Sequence, residues 1–438
     1  MARRLPLSLR LYRFLWGIAA PLTPLLFQRR LRRGKEIKER LPERRGLPGF
    51  ERPPGPLIWI HTASVGEITS VFGLIERVHA QNINLLVTSG TVTSAALAAQ
   101  RLPRRVIHQF VPLDAPRYVR RFLNHWQPDL ALLVESELWP NLIVEGAARS
   151  MPLILVNGRL SESSFRRWRR FPRTAAAVLD RLDLCLARTP ADAERFAALN
   201  APRVITTGNL KFDVPPPPVA TDKLNALRAA AATRPVIGAA STHPGEETIV
   251  LEAHRLLRAR TQNLLTVIAP RHPDRGPDIA AMAAAAGLKP ALRSRGQLPG
   301  PGVDIYIADT IGELGLLYAF VPIVFIGGSL VRHGGQNPIE AAKLGSAIMH
   351  GPHVGNFSEI YGALDTINGA GLVADAETLA DLAYAWLRDP AGRKAAAEAA
   401  HNTVMALGGA LNRTLQTLDP YLMQLRLGQR AGFGGDRA

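Results

Sequence analysis

Short apolar runs of strand length recur along this chain, and Ala/Leu-rich stretches of helical length alternate with them. LIWI (57–60), LALLV (130–134), LILV (153–156), PVIGAAS (235–241), LLTVIAP (264–270) and VPIVFIGGS (321–329) are almost unbroken in hydrophobicity. A strand with no polar alternation is buried on both faces, and parallel sheets covered by helices provide that burial. The expected class is therefore α/β. At 438 residues the chain exceeds one ordinary core, so two domains are expected.

The sharpest break in composition is DVPPPPVATD (213–222). Four consecutive prolines join neither a helix nor a central strand and suit a stiff linker. The layout that follows is a basic, hydrophobic segment over 1–45, a first Rossmann-like domain over 46–213 and a linker over 214–222. A second Rossmann-like domain over 223–425 and a frayed tail over 426–438 complete it. Two such halves facing across a cleft place ligands at the carboxyl ends of the strands.

The formal charge is +17, and residues 1–45 hold thirteen Lys/Arg against three Asp/Glu, or +10 of it. Basic charge alone fits nucleic acid, anionic lipid or an anionic substrate. Here it flanks the uncharged stretch FLWGIAAPLTPLLFQ (14–28), which is short for a span of ~20 residues. The expectation is a membrane-seated helix, with Phe14, Trp16 and Phe27 among acyl chains and arginines among lipid phosphates. A core helix with a basic end is the alternative. The single cysteine, Cys185, rules out an internal disulfide and is expected to be an inert buried thiol.

Candidate site residues gather after the strand-like runs. In HTASVGEITS (61–70), Gly66 is expected to make a tight turn and Glu67 to stand at a helix start, where the dipole favours a charged carboxylate. Such a group either takes a proton from a bound hydroxyl or only caps the helix. Asp114 is expected to cap the helix that begins at Pro116. Glu135 and Glu137 follow the LALLV strand and would share a face at period 2. NGRLSESSFRRWRRF (157–171) is basic with interleaved aromatics, and fits nucleic acid, a phosphorylated glycolipid or a solvated helix. Lys211 lies in GNLKFD (208–213), before the prolines.

In the second half, Arg271 after a strand suits an anionic group. Gly312 permits close approach of a ligand, with Glu313 beginning a helix. In FIGGSLVRHGGQNPIEAAKLG (325–345), Asn337 reads as an N-cap and Pro338 as the first helical residue, a place where backbone N–H groups hold a phosphate. Glu340, in the first turn, can accept from ribose hydroxyls. No P-loop, G-x-G-x-x-G or G-x-S-x-G motif is present. His243, His272, His333, His350 and His353 match no zinc spacing, and no metal is expected.

Taken in order, HTASVGE, ESELWPNLI, NGRLS, GNLKFD, STHPGEE, PRHPDR, DTIGELGLLY, GGSLVRHGGQNPIEAA and GPHVGNF resemble the 3-deoxy-D-manno-octulosonic acid (Kdo) transferases of Gram-negative lipopolysaccharide synthesis. The resemblance covers nearly the whole chain. It implies a GT-B fold, with the acceptor in the first half and the nucleotide sugar in the second. It implies CMP-Kdo as donor, with no further cofactor, and a lipid A precursor as acceptor. The enzyme would work on the cytoplasmic face of the bacterial inner membrane, with residues 1–45 on anionic lipid and no nucleic-acid partner. Matched by motif, Glu67 is the general base, and Glu135 and Lys211 support the transition state. Pro270, Arg271, Ile311, Gly312, Glu313, Asn337, Pro338, Ile339 and Glu340 contact CMP. One departure stands out: after NGRLS the family often has an arginine and a serine, where this chain has Glu162, Ser163 and Ser164, with Arg166 and Arg167 nearby. The rival readings are a GT-B enzyme using a UDP-sugar and, from another class, a basic nucleic-acid-binding protein.

Overall fold

A computed structural model describes residues 5–433. The chain forms two compact units. The first contains a seven-stranded sheet of β1 (Leu57–His61), β2 (Asn84–Ser89), β3 (Ile107–Phe110), β4 (Leu130–Val134), β5 (Leu153–Gly158), β6 (Leu184–Ala187) and β7 (Val204–Thr206). Its order is β3-β2-β1-β4-β5-β6-β7, and every pairing is parallel. The second contains β8 (Val236–Thr242), β9 (Leu265–Pro270), β10 (Pro290–Leu292), β11 (Ile305–Ile307), β12 (Ile323–Ile326), β13 (Ala347–His350) and β14 (Ala370–Leu372). Its order is β10-β11-β9-β8-β12-β13-β14, again all parallel.

The unbroken apolar runs are explained by two-sided burial. Side chains of β1 and β4 alternate between a core with Trp59, Phe122 and Trp126 and an opposite core with Ile60, Ile68 and Ile75. Cys185 is fully buried there, and burial pushes its thiol up to about 12, so it is unreactive.

The boundaries differ from the expected layout at both ends. Residues 36–45 are not part of a lipid-facing segment. Arg44 and Glu36 are buried together, and Glu43 accepts the Phe110 N–H at the end of β3. Part of the basic charge is thus spent inside the first unit. Residues 408–425 also belong to the first unit, not the second. The helix Ala410–Phe433 places Leu418 and Leu422 in the core beside Ile68 and Ile75. Asp213 accepts the N–H groups of Gly409 and Leu411, both at 2.6 Å, and so caps this returning helix. The expected tail is helical through residue 433, and residues 434–438 lie outside the described residues.

The hydrophobic N-terminal stretch forms two helices, Leu7–Ala19 and Thr23–Arg32, joined by a 3₁₀ turn at Ala20–Leu22. No helix among the described residues is long and apolar enough to cross a membrane. Leu7, Leu11, Phe14, Leu15 and Ile18 recur at helical spacing on one exposed face, continued by Leu22, Leu25 and Leu26. Phe27, expected among lipids, is instead buried, and Trp16 packs beside Tyr118. Tyr12 donates to Asp114 and Arg13 pairs with Glu145, fixing the first helix to the sheet domain.

Candidate active site

In an open parallel sheet, ligands gather where the strand order reverses, outside the carboxyl ends of the strands. In the first unit that point lies between β1 and β4. Glu67 follows β1 and Glu135 follows β4. Glu67 lies in the first turn of the helix Val65–His79. Its Oε2 accepts the Ala63 N–H at 2.6 Å, its Oε1 accepts from Ser64 Oγ at 2.9 Å, and its own N–H donates to Ser64 Oγ at 3.4 Å. Capping and chemistry are therefore not exclusive, because each carboxylate oxygen has a second acceptor position. Gly66 is not the turn expected of it. It is a helical residue, and an added Cβ would meet nothing closer than 4.0 Å.

Burial first, and the nearby charges of Glu137 and Glu135, outweigh the bonds from Ala63 and Ser64 and together push the Glu67 carboxyl up to about 7. This reverses the expectation from the helix dipole alone. A buried acid beside two others is harder to ionise, whatever the helix contributes.

Glu135 and Glu137 do not share a strand face. The strand ends at Val134, and Glu135 takes a left-handed backbone with φ 58°. That turn aims Glu135 at Lys211, whose Nζ lies 2.6 Å from Glu135 Oε1. Lys211 sits in the turn Leu210–Phe212, which is held because buried Asn157 accepts the Leu210 N–H. Residues separated widely in sequence thus meet at the carboxyl ends of the strands.

Glu137 and His61 enter the same cluster, and motif matching did not assign either. Glu137 accepts from Trp139 Nε1 at 2.5 Å and lies 3.3 Å from His61 Nε2. Burial pushes its carboxyl up, but the bonds from His61 and Trp139 and the His61 charge hold it below its ordinary value. His61 Nδ1 is 2.9 Å from Thr88 Oγ1, which also accepts from Trp59 Nε1. The inward-facing histidine at the end of a buried strand was the available sequence signal. Asp114 is another correction. It caps the helix Pro140–Ala147 through the N–H groups of Asn141 and Leu142, and not the helix at Pro116. In the basic stretch after Gly158, Glu162 pairs with Arg166 and Arg195, while Arg167 is exposed and has no partner among the described residues.

The second unit repeats the arrangement between β8 and β12. Glu246 is fully buried. It accepts N–H groups of His243, Gly328, Ser329 and Leu330 at 2.7–3.0 Å, so one carboxylate shapes the Gly-rich loop after β12. Gly327 must be glycine, because a Cβ would stand 2.5 Å from the Ser241 carbonyl oxygen. Glu247, also buried, binds Arg275 and Thr242. The STHPGEE motif is thus a scaffold for the loops around it.

Of the residues expected to contact CMP, Pro270 ends β9 and Arg271 follows it, exposed and without a side-chain partner among the described residues. Ile311 is 88% exposed and Gly312 has φ 82°. The Glu313 carboxylate is committed to Arg293, Lys223 and Thr310, with Arg293 holding it well below its ordinary range. The side chain of that residue is thus taken up in holding the loop. The helix Ile339–Lys343 starts one residue later than expected. Pro338 precedes it, and Asn337 Oδ1 accepts the Ile339 N–H at 3.0 Å. Burial raises the Glu340 carboxyl above its ordinary value.

These loops match known proteins in sequence as well as place. A family model described as 3-deoxy-D-manno-octulosonic-acid transferase (kdotransferase) matches residues 39–214. The 3-deoxy-D-manno-octulosonic acid transferase of Bordetella pertussis is 39% identical over 418 residues, covering 92% of this chain and 97% of its own. The Haemophilus influenzae enzyme of the same name is 34% identical, covering 88% of this chain and 92% of its own. The chain belongs to the Kdo transferase family. It is accordingly an enzyme, a glycosyltransferase. The UDP-GlcNAc 2-epimerase of Neisseria meningitidis shares the fold, with a TM-score of 0.57, 13% identity, and 83% of this chain and 99% of that one covered. The GT-B expectation for this Kdo transferase thus holds at the level of two Rossmann-like units.

Proposed function

We propose that the enzyme transfers Kdo from CMP-Kdo to a hydroxyl of a lipid A precursor, with inversion, and that Glu67 is the general base. The observation that carries this reading is the meeting of Glu67, Glu135 and Lys211 at the β1/β4 reversal, with the Glu67 carboxyl near 7. A carboxyl that titrates near neutral pH is half ionised in use and binds a proton readily, which suits a base. In the step, the acceptor oxygen attacks the anomeric carbon of Kdo and the bond to the CMP phosphate breaks. The hydroxyl proton passes to Glu67, and CMP leaves with the bonding electrons. The oxocarbenium-like transition state is met by the Glu135–Lys211 pair. The leaving phosphate is met by Arg271, by backbone N–H groups at 311–313 and by those of Asn337 and Glu340, since Pro338 has none and the Ile339 N–H is given to Asn337. These fixed charges and dipoles act without a metal or a further cofactor.

The lipid acceptor suits the first unit's exposed apolar face. Leu7, Leu11, Phe14, Leu15, Ile18, Leu22, Leu25 and Leu26 would enter one leaflet, with Arg29, Arg32 and Arg33 among anionic headgroups. On this reading the enzyme works at the cytoplasmic face of the inner membrane, lying on the bilayer.

The test is a transfer assay. Full-length protein is incubated with CMP-Kdo generated in situ and the tetraacyl lipid A precursor, and the lipid is read by mass spectrometry. A mass gain of whole Kdo units is expected, reduced ~10²–10⁴-fold in Glu67→Gln with CMP binding intact. Transfer by Glu67→Gln at the wild-type rate overturns the base assignment. An unchanged lipid with CMP bound overturns the acceptor.

A further inference from the structure

The second unit carries a basic cavity at the end of its sheet remote from the loops described above. Pro235 and Val236 at the start of β8, and Pro322 just before β12, border it. Arg271, Ile311 and Asn337, by contrast, follow strand carboxyl ends. The cavity has a volume of about 550 Å³, within the range of small-ligand sites.

Five arginines line it, Arg228, Arg234, Arg260, Arg388 and Arg393, and no Asp or Glu does. They come from separate elements: the helix Thr221–Ala231, the loop before β8, the turn after the helix Glu246–Arg258, and the helices Ala376–Arg388 and Pro390–Ala406. Two are fixed in place. Arg234 donates to the carbonyls of Asn263, Leu264, Gly300 and Val303, which orient the guanidinium, and the charge of Asp304 acts on it from nearby. Arg260 lies 3.9 Å from the Tyr384 ring and pairs with Asp381 at 2.5 Å. Among the described residues, Arg228 donates to the Ala319 carbonyl and pairs with no acid. Arg388 and Arg393 have no side-chain partner among the described residues. Asp389 lies between these two in sequence, but its Oδ1 accepts the Gly392 N–H as a helix cap.

Arg228, Arg388 and Arg393 thus face one cavity with no acidic partner among the described residues, and an anion bound there would offset their mutual repulsion. The wall also holds Ala232 at φ 51° and ψ −127°, a conformation L-residues rarely adopt and one that persists where the surroundings impose it. Phe320 and Leu387 supply an apolar side to the same cavity.

We infer that this cavity is a binding site for a phosphate-bearing anion, distinct from the donor loops. Guanidinium groups from different helices match the oxygens of a phosphate in paired hydrogen bonds, and the apolar side accepts the carbon part of the ligand. The phosphate belongs either to a soluble metabolite or to a phospholipid headgroup. Binding would tie the helix Thr221–Ala231 to the pair Ala376–Arg388 and Pro390–Ala406. It does not depend on the acceptor or base assigned above.

The test compares the full-length protein with the Arg388→Ala/Arg393→Ala variant, whose changed side chains are outside the core. Inorganic pyrophosphate is titrated calorimetrically with CMP at saturation, so that the donor loops are occupied. Saturable binding is expected in the wild type, weakened ~10-fold or more in the variant, since each charge-assisted bond is worth about that factor. CMP affinity should be equal in both. Titration with monomeric short-chain (dihexanoyl) phosphatidylglycerol, which offers no bilayer for the N-terminal apolar face to enter, separates the two sources. Binding to the wild type that pyrophosphate displaces and the variant loses identifies a headgroup. Weakened pyrophosphate binding in the variant with no lipid binding in either protein identifies a soluble ligand. The inference is overturned if the variant binds both probes as the wild type does, or if neither probe binds the wild type.

Discussion

Glu67→Gln should leave a more stable protein at alkaline pH and a nearly inactive one. The Glu67 carboxyl stands at about 7 in the fold against 4.5 in a free chain. Between these values the folded state holds a proton that the unfolded state has released, so wild-type stability falls as pH rises. The loss is absent well below 4.5 and complete above about 7. At about 1.36 kcal/mol per pH unit, it comes to roughly 3 kcal/mol between pH 4.5 and pH 8. Glutamine removes the titration. It also weakens the bonds from Ala63 and Ser64, but that offset is the same at every pH and cancels in the comparison. Urea denaturation of both proteins at the two pH values isolates the charge. The wild-type-minus-variant stability should become about 3 kcal/mol more negative at pH 8 than at pH 4.5, or ~6–12 °C in Tm for a unit of this size. Wild-type kcat/KM should rise with pH to a plateau through an inflection near 7. A pH-independent stability difference, with no inflection between about 6 and 8, would refute the claim that this carboxyl is held protonated by its surroundings.

Glu137→Gln removes one of the like charges that raise Glu67, so the inflection in kcat/KM should move to lower pH, read from a pH–rate profile. Glu246→Ala strands four buried N–H groups; a loss of about 3–5 kcal/mol in denaturation and a weaker CMP affinity are expected, with Glu246→Gln in between. Leu11→Glu/Phe14→Glu/Leu15→Glu changes only exposed positions; it should abolish flotation with anionic vesicles and leave Tm nearly unchanged.

The parallel α/β class and the positions of Glu67 and Glu135 after β1 and β4 could be anticipated because strand-length apolar runs ending in polar residues are local signals. What escaped depends on contacts between distant segments. Asp114 looked like a cap for its own helix, but its carboxylate is used by a helix about seven turns of chain later, at Asn141. Glu135 and Glu137 looked like a period-2 pair, but a left-handed residue ends the strand between Val134 and Ser136. Phe27 looked lipid-facing because a stretch apolar all round does not say which face meets protein. Glu246 read as one more acidic residue at a helix start. Its part in holding the loop after β12 needs a partner some eighty residues away.

The return of the helix Ala410–Phe433 to the first unit makes the second unit an insertion in it. During synthesis, the residues of the first sheet leave the ribosome well before Leu418 and Leu422, which complete the core beside Ile68 and Ile75. That core waits, with apolar surface uncovered, until the whole inserted unit has been made. Cutting the chain at the prolines therefore does not give two independent domains: the leading fragment lacks its closing helix, and the trailing fragment carries an orphaned one. A faithful dissection would excise Pro215–Leu407 and rejoin Val214 to Gly408, beside the hydrogen bond that Asp213 already accepts from Gly409.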